Sequence, residues 1–106
     1  EEFVIALPST GLAGASLVAE RIREALSREE ILDRTGQSVH VTASFGVAQL
    51  GGEETLELLV DRADRAMYGA KSAGRNRVFS TNGASLKPVT AGATAGADEP
   101  TSPAAA

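Results

Sequence analysis

The spacing of apolar residues changes along this chain between an unbroken run, a helical period and a strict alternation, and each change predicts an element. Residues 3–7, Phe3-Val4-Ile5-Ala6-Leu7, are apolar throughout. In an extended segment Phe3, Ile5 and Leu7 share one face and Val4 and Ala6 the other, so the run predicts a central strand covered on at least one side by helices. After Pro8, Ser9 and Thr10 offer side-chain oxygens as helix caps, and Ala15, Val18, Ile22, Ala25 and Leu26 recur at helical spacing over 12–27. Glu20, Arg21, Arg23, Glu24 and Arg28 take the remaining faces. They read as a solvated surface on which Glu20 and Glu24 each pair with an arginine three or four positions on.

Over 31–48 the period becomes two, with Val39, Val41, Ala43, Phe45 and Val47 alternating against His40, Thr42, Ser44 and Gly46. This predicts a β-hairpin whose turn is Asp33-Arg34-Thr35-Gly36-Gln37-Ser38, with Gly36 free to take a positive φ. Gly46 inside the strand marks a bulge or the close approach of another backbone, leaving room for a neighbouring helix. Gly51-Gly52-Glu53-Glu54 reads as a loop, and Thr55 as the cap of a second helix running to about 73. Leu56, Leu59, Val60, Ala63, Met67 and Ala70 form its buried stripe, while Glu57, Asp61, Asp64, Tyr68 and Lys71 lie on the wetter side, with Asp61 and Arg65 spaced to pair. Gly74 stops the helix, and 75–79 turns into a short strand. From Thr81 onwards Ala, Gly, Thr, Ser and Pro leave almost nothing to bury, which predicts a disordered tail over 81–106. The resulting order is strand, helix, β-hairpin, helix, strand, an α/β (α+β) arrangement.

Composition narrows the function classes. At 106 residues the chain is one domain at most, and its first residue is Glu rather than Met, as in a fragment or processed product. Without cysteine there is neither a disulfide framework nor a thiolate metal site, which fits a reducing compartment. A lone His40 on the polar side of a strand supplies no imidazole metal site. The net charge of −4 argues against nucleic-acid binding by phosphate neutralisation, though not against a nucleotide that brings its own magnesium. No apolar run reaches bilayer length, and no segment resembles a signal peptide.

Two places carry candidate chemistry. Glu1 and Glu2 stand at the mouth of the first apolar run, pointing to opposite sides if extended, so that one can meet a metal and the other a different part of a substrate. The plainer reading is an ordinary solvated chain end. Lys71 and Arg75 lie four positions apart across the helix stop, where an ammonium and a forked guanidinium can converge on one anion. Equally, both can complement the negative end of the helix macrodipole.

These residues also carry a resemblance. Glu1-Glu2-Phe3 is similar to the end of the Gly-Gly-(Asp/Glu)-Glu-Phe signature of the GGDEF family, the diguanylate cyclases. Further agreement comes from the strand Val41-Thr42-Ala43-Ser44-Phe45-Gly46-Val47-Ala48 and the block from Ala63 and Asp64 through Ala66-Met67-Tyr68, Ala70-Lys71 and Gly74-Arg75-Asn76 to Val78. That block matches the family's Ala-Asp, Ala-Leu-Tyr, Ala-Lys and Gly-Arg-Asn in order and spacing. The resemblance covers about residues 1–80, the second half of the family's domain. It implies a domain like nucleotidyl cyclases and polymerase palms that condenses two GTP into cyclic di-GMP and two pyrophosphates, each domain of a homodimer holding one GTP. By the same resemblance Glu1 is a ligand for Mg2+ (or Mn2+). Glu2 positions or deprotonates the attacking hydroxyl with metal contact as a further role, Lys71 and Arg75 bind the triphosphate, and Asp64 and Asn76 give structural support.

The family's other metal-binding Asp, its guanine-reading residues, its phosphate loop, its signature glycines and its product-inhibition site would all lie upstream of Glu1. The fragment by itself is therefore expected to be poorly folded and inactive, the activity belonging to the parent protein. The resemblance further implies a cytoplasmic domain, with room upstream for a sensory domain or a membrane tether. A second reading is a degenerate module that binds GTP or cyclic di-GMP and signals through protein contacts without turnover. A third is a ferredoxin-like interaction domain with no nucleotide.

Overall fold

The computed structural model describes residues 1–90 of the chain. Helix α1 spans Leu12–Arg28, and strands β1 (Ile31–Leu32) and β2 (Ser38–Val39) follow it as a short antiparallel hairpin. Strand β3 (Phe45–Ala48), helix α2 (Leu56–Ser72) and strand β4 (Val78–Thr81) form a parallel crossover. Strand β5 (Leu86–Val89) then adds antiparallel to the other side of β4, giving the order β3-β4-β5. The mixed α/β class agrees with the alternation of periods. No helix among the described residues is long and apolar enough to cross a membrane.

The helix starts differ in how their free N–H groups are met. Thr55 caps α2 as expected, its hydroxyl oxygen accepting from the Leu58 N–H at 3.2 Å. At α1 the cap position is Gly11, without a side-chain bond. The Leu12 N–H donates instead to Gln49 Oε1 at 2.9 Å, while the Thr10 hydroxyl turns back to the Pro8 carbonyl. The residue after β3 thus takes the part expected of Ser9 or Thr10, and ties α1 to the sheet.

Strand register decides which face each helix covers. Phe45 stands beside Val78 and Val47 beside Ser80, so these share one face; Gly46 beside Phe79 and Ala48 beside Thr81 share the other. Ala19 of α1 joins Val47 and Val78 in the core, with Leu12, Ala15, Phe45 and Val89 packed around them. Helix α2 takes the opposite face, where Gly46 lies directly under the backbone of Ala63 and Met67, and Gly69 lies against the Phe79 ring. The close approach expected at Gly46 is therefore an approach to a helix backbone. It also rotates the buried stripe of α2: Ala66 and Ala70 are fully buried, whereas Leu56 and Val60 are exposed. Only small side chains fit where helix and sheet lie this close.

Three other expectations are corrected. Residues 3–7 form no strand, and Phe3, Val4 and Ile5 are exposed, Phe3 by 84%. An apolar run becomes a strand only when a neighbour accepts its backbone bonds, and no described strand pairs with this one. The alternating run over 31–48 is not one continuous hairpin. Its turn is as expected, with Gly36 at φ +85 and the Asp33 carboxylate accepting from the Thr35 and Gln37 N–H groups, but pairing stops at Val39, and Phe45–Ala48 leaves to pair with β4. Finally, the stretch after Thr81 is not structureless throughout, because Leu86–Val89 pairs with β4. Pro88 is tolerated there because β5 is an edge strand. The rest of the expected tail, 91–106, lies outside the described residues.

A Cβ added at Gly46 would fall inside van der Waals contact with the Ala63 carbonyl oxygen and the Met67 amide nitrogen, backbone atoms that cannot step aside. Gly46→Ala should destabilise the full-length protein by about 3 kcal/mol or more, the upper range of overpacking. Gly36→Ala meets nothing within 4 Å and bears only its positive φ, a cost of about 1–2 kcal/mol. Urea denaturation should rank them in that order; the reverse order would refute the helix-on-strand contact as the tighter constraint.

Candidate functional site

The Lys71 and Arg75 candidates sit where α2 stops and turns back to start β4. Gly74, Arg75 and Asn76 follow one another in the left-handed region, at φ +131, +66 and +49. Glycine adopts such angles freely and asparagine tolerates them, whereas arginine does so only when its surroundings hold it there. The N–H groups of Gly74, Arg75 and Asn76 are engaged. That of Gly74 donates to the Lys71 carbonyl at 3.3 Å, that of Arg75 to the Ala70 carbonyl at 2.9 Å, and that of Asn76 to Ser44 Oγ at 3.2 Å. The Phe45 N–H then closes onto the Arg77 carbonyl at 2.9 Å, where β3 and β4 begin side by side. At positions 74–76 an anion would therefore be met by side chains rather than by backbone N–H groups.

Those side chains are available. Arg75 is exposed, and its guanidinium has no hydrogen-bond or ion-pair partner among the described residues. Lys71, half-buried in the last turn of α2, has no carboxylate partner there either; its Nζ lies 5.5 Å from the centroid of the Tyr68 ring. Arg77, two positions on from Arg75, has no carboxylate partner among the described residues either, and its Nε donates to the Arg75 carbonyl at 2.9 Å; Arg65, earlier in α2, pairs with Asp61.

Residues that the sequence pattern assigned to a solvated surface hold this turn from below. Glu20 is buried, 6% exposed, on the side of α1 that faces the sheet. Arg23 meets it with a fork: Nε donates to Oε1 at 3.0 Å and Nη2 to Oε2 at 2.7 Å. The remaining nitrogen, Nη1, donates to Asn76 Oδ1 at 3.0 Å. Hydrogen bonding to Glu20 raises the Arg23 pKa further, so the guanidinium stays charged. The Glu20–Arg23 spacing is visible in the sequence, but nothing local signals a partner 53 positions away.

Glu1 and Glu2, in contrast, are exposed at the start of an unpaired segment, and no hydrogen bond or ion pair joins them to Lys71 or Arg75. Among the described residues no three carboxylate or imidazole side chains gather as a metal cage. Mg2+ does not need one, because it commonly takes one or two carboxylates and completes its octahedron with phosphates and water. Two adjacent, accessible carboxylates are a donor set of that kind.

The second Gly-Gly-Glu-Glu, at 51–54, is structural. Glu54 accepts from Arg62 Nε at 2.6 Å and Nη2 at 2.7 Å and from the Gly51 N–H at 3.0 Å, and Arg62 also donates to the Gln49 carbonyl. The Arg62 hydrogen bonds, helped by the Gly51 N–H, push the Glu54 pKa down to about 2. A folded pKa below the ordinary 4.5 means that the pair stabilises fully above pH 4.5 and is lost as pH falls towards 2. Asp33 is shifted the same way by Thr35 and Gln37, so the comparison must be with a variant. The thermal midpoint of Glu54→Gln should fall less steeply than that of the unaltered protein between pH 4.5 and 2.5; parallel curves would refute this.

Comparison with known proteins identifies the family and the fold. Residues 1–77 match the family described as "Diguanylate cyclase, GGDEF domain". The chain is 40% identical over 79 residues to diguanylate cyclase A of Treponema denticola, 45% over 80 residues to the response regulator PleD of Caulobacter vibrioides, and 44% over 81 residues to diguanylate cyclase VdcA of Vibrio cholerae. Each alignment takes in 74% of this chain and 21%, 18% and 24% of those proteins respectively, so the chain spans about a fifth of their length. Among solved structures it is similar to the GGDEF domain of DgcB from Caulobacter crescentus, in complex with c-di-GMP, with a TM-score of 0.62 and 29% identity over 66% of this chain and 42% of that one.

Proposed function

The chain belongs to the GGDEF-domain family of diguanylate cyclases, and from that membership we propose that the protein containing it condenses two GTP molecules into cyclic di-GMP and two pyrophosphates. The observation that carries this reading is the end of α2, where the N–H groups of positions 74–76 are bonded and Lys71 and Arg75 offer cations without a carboxylate partner among the described residues. In this reading both bind triphosphate oxygens, Arg75 through its planar fork and Lys71 as a point charge. The c-di-GMP in the DgcB structure supports recognition of guanine nucleotides by this fold.

Glu2 positions the ribose 3′-hydroxyl and accepts its proton as the 3′-oxygen forms a bond to the α-phosphorus held by the partner domain. The bond from that phosphorus to the departing pyrophosphate breaks in the same step. Glu1, with Glu2, supplies the ligands for Mg2+ (or Mn2+), which when bound offsets phosphate charge. Because each domain binds one GTP, two must meet face to face, and the working unit is a homodimer acting in the cytoplasm.

The test uses the full-length protein that contains this chain, incubated with GTP and Mg2+, with product followed by chromatography. Cyclic di-GMP should form, and Glu2→Gln should lower its rate by about a hundredfold or more, the scale of a lost general base. No product from a dimeric protein that still binds GTP would contradict turnover and favour the alternative, a module that binds GTP or cyclic di-GMP and signals through protein contacts.

A further inference from the structure

Arg75 is held in a backbone conformation that its side chain disfavours, at φ +66 between two other left-handed residues. Something beyond the turn must select that conformation. The backbone bonds from Gly74 and Arg75 return to α2 itself and would form at many helix ends. Two side-chain holds distinguish this one: Arg77 Nε donates to the Arg75 carbonyl at 2.9 Å from within the turn, and Asn76 is gripped from outside it, its N–H by Ser44 Oγ at 3.2 Å and its Oδ1 by Arg23 Nη1 at 3.0 Å. Arg23 in turn cannot drift, because two of its nitrogens are committed to the buried Glu20 carboxylate. We propose that Arg23, locked by Glu20, is a positioning residue that fixes Asn76 and thereby aims the Arg75 guanidinium at a nucleotide phosphate. Arg23 touches no substrate; it acts through Asn76 and the adjoining peptide.

This role accounts for an ion pair on the inward side of α1, where an apolar side chain would pack more simply. Apolar substitutes could fill the same volume, but none could donate to Asn76 across the gap between α1 and the turn. It accounts equally for the choice of arginine. A lysine at position 23 can neutralise Glu20, yet its ammonium cannot keep a two-pronged bond to the carboxylate and reach Asn76 in fixed geometry as well.

This inference rests on the reading of Arg75 as a phosphate ligand, so the experiment separates the two. In the full-length protein, steady-state GTP kinetics would be measured for R75A, R23K, N76G and the double variant R23K/R75A, with thermal midpoints alongside. Both anchor variants keep Glu20 paired, and N76G keeps a residue at home at positive φ. R75A should raise KM for GTP by about tenfold, and R23K and N76G by about three- to tenfold, with kcat within about twofold, the pattern of lost substrate binding. In the R75A background R23K should add no further rise, because its effect runs through Arg75. An R23K effect of the same factor with and without Arg75, or no rise in KM with R23K and N76G, would overturn the positioning role. An unchanged KM in R75A would overturn the phosphate reading of Arg75 itself and the positioning role with it.

Discussion

Helix α2 lies on β3 at backbone distance, and the rest of the molecule follows from that contact. Gly46 and the alanines at positions 66 and 70 remove the side-chain layer that would otherwise hold helix and sheet apart. With the helix that close, the crossover from β3 to β4 must end beside the place where β3 begins. The chain reverses there in a few residues, with left-handed angles at positions 74–76. Lys71 and Arg75 thereby stand on either side of a helix stop where the N–H groups of positions 74–76 are already bonded. The negative end of the α2 dipole would repel a phosphate, so the cations on it must more than offset that field.

The opposite face of the sheet contributes rigidity. A carboxylate buried like Glu20 is tolerable only with a partner, and losing one member of such a pair commonly costs about 3–5 kcal/mol. Arg23 therefore serves the stability of α1 and the geometry of the turn at once, since its third nitrogen reaches Asn76. Helix α1, the segment before β3 and the turn after α2 are joined through Arg23, Asn76 and Ser44. A cation presented from such a frame loses less freedom on meeting its anion than one on a mobile loop.

What could be read from the sequence was whatever is decided locally. Thr55, the extent of α2, Gly74 and the turn at Gly36 are short-range signals, and each stands where the pattern put it, whereas the buried stripe of α2 does not. Gly46 was legible as a close approach because a glycine gives an alternating strand no side chain to pack, and so marks the place where another backbone comes near. The similarity of Glu1-Glu2-Phe3 and of the block ending in Gly74-Arg75-Asn76 to the GGDEF family pointed to the same cations that the fold leaves unpaired. Features set by distant partners stayed hidden. An apolar run such as 3–7 reads as a strand whether or not a neighbour pairs with it, Glu20 looks like any helix-surface carboxylate, and the small residues around Leu86–Val89 mask an edge strand that forms only because β4 is there to receive it.

The central claim is that the end of α2 is a phosphate site aimed by the fold. Its most direct test is a crystal structure of the full-length protein with a non-hydrolysable GTP analogue and Mg2+. The account predicts Lys71 Nζ and the Arg75 guanidinium within hydrogen-bond distance of the triphosphate, with Asn76 still bonded to Arg23. A nucleotide bound elsewhere, with Lys71 and Arg75 left in solvent, would contradict it.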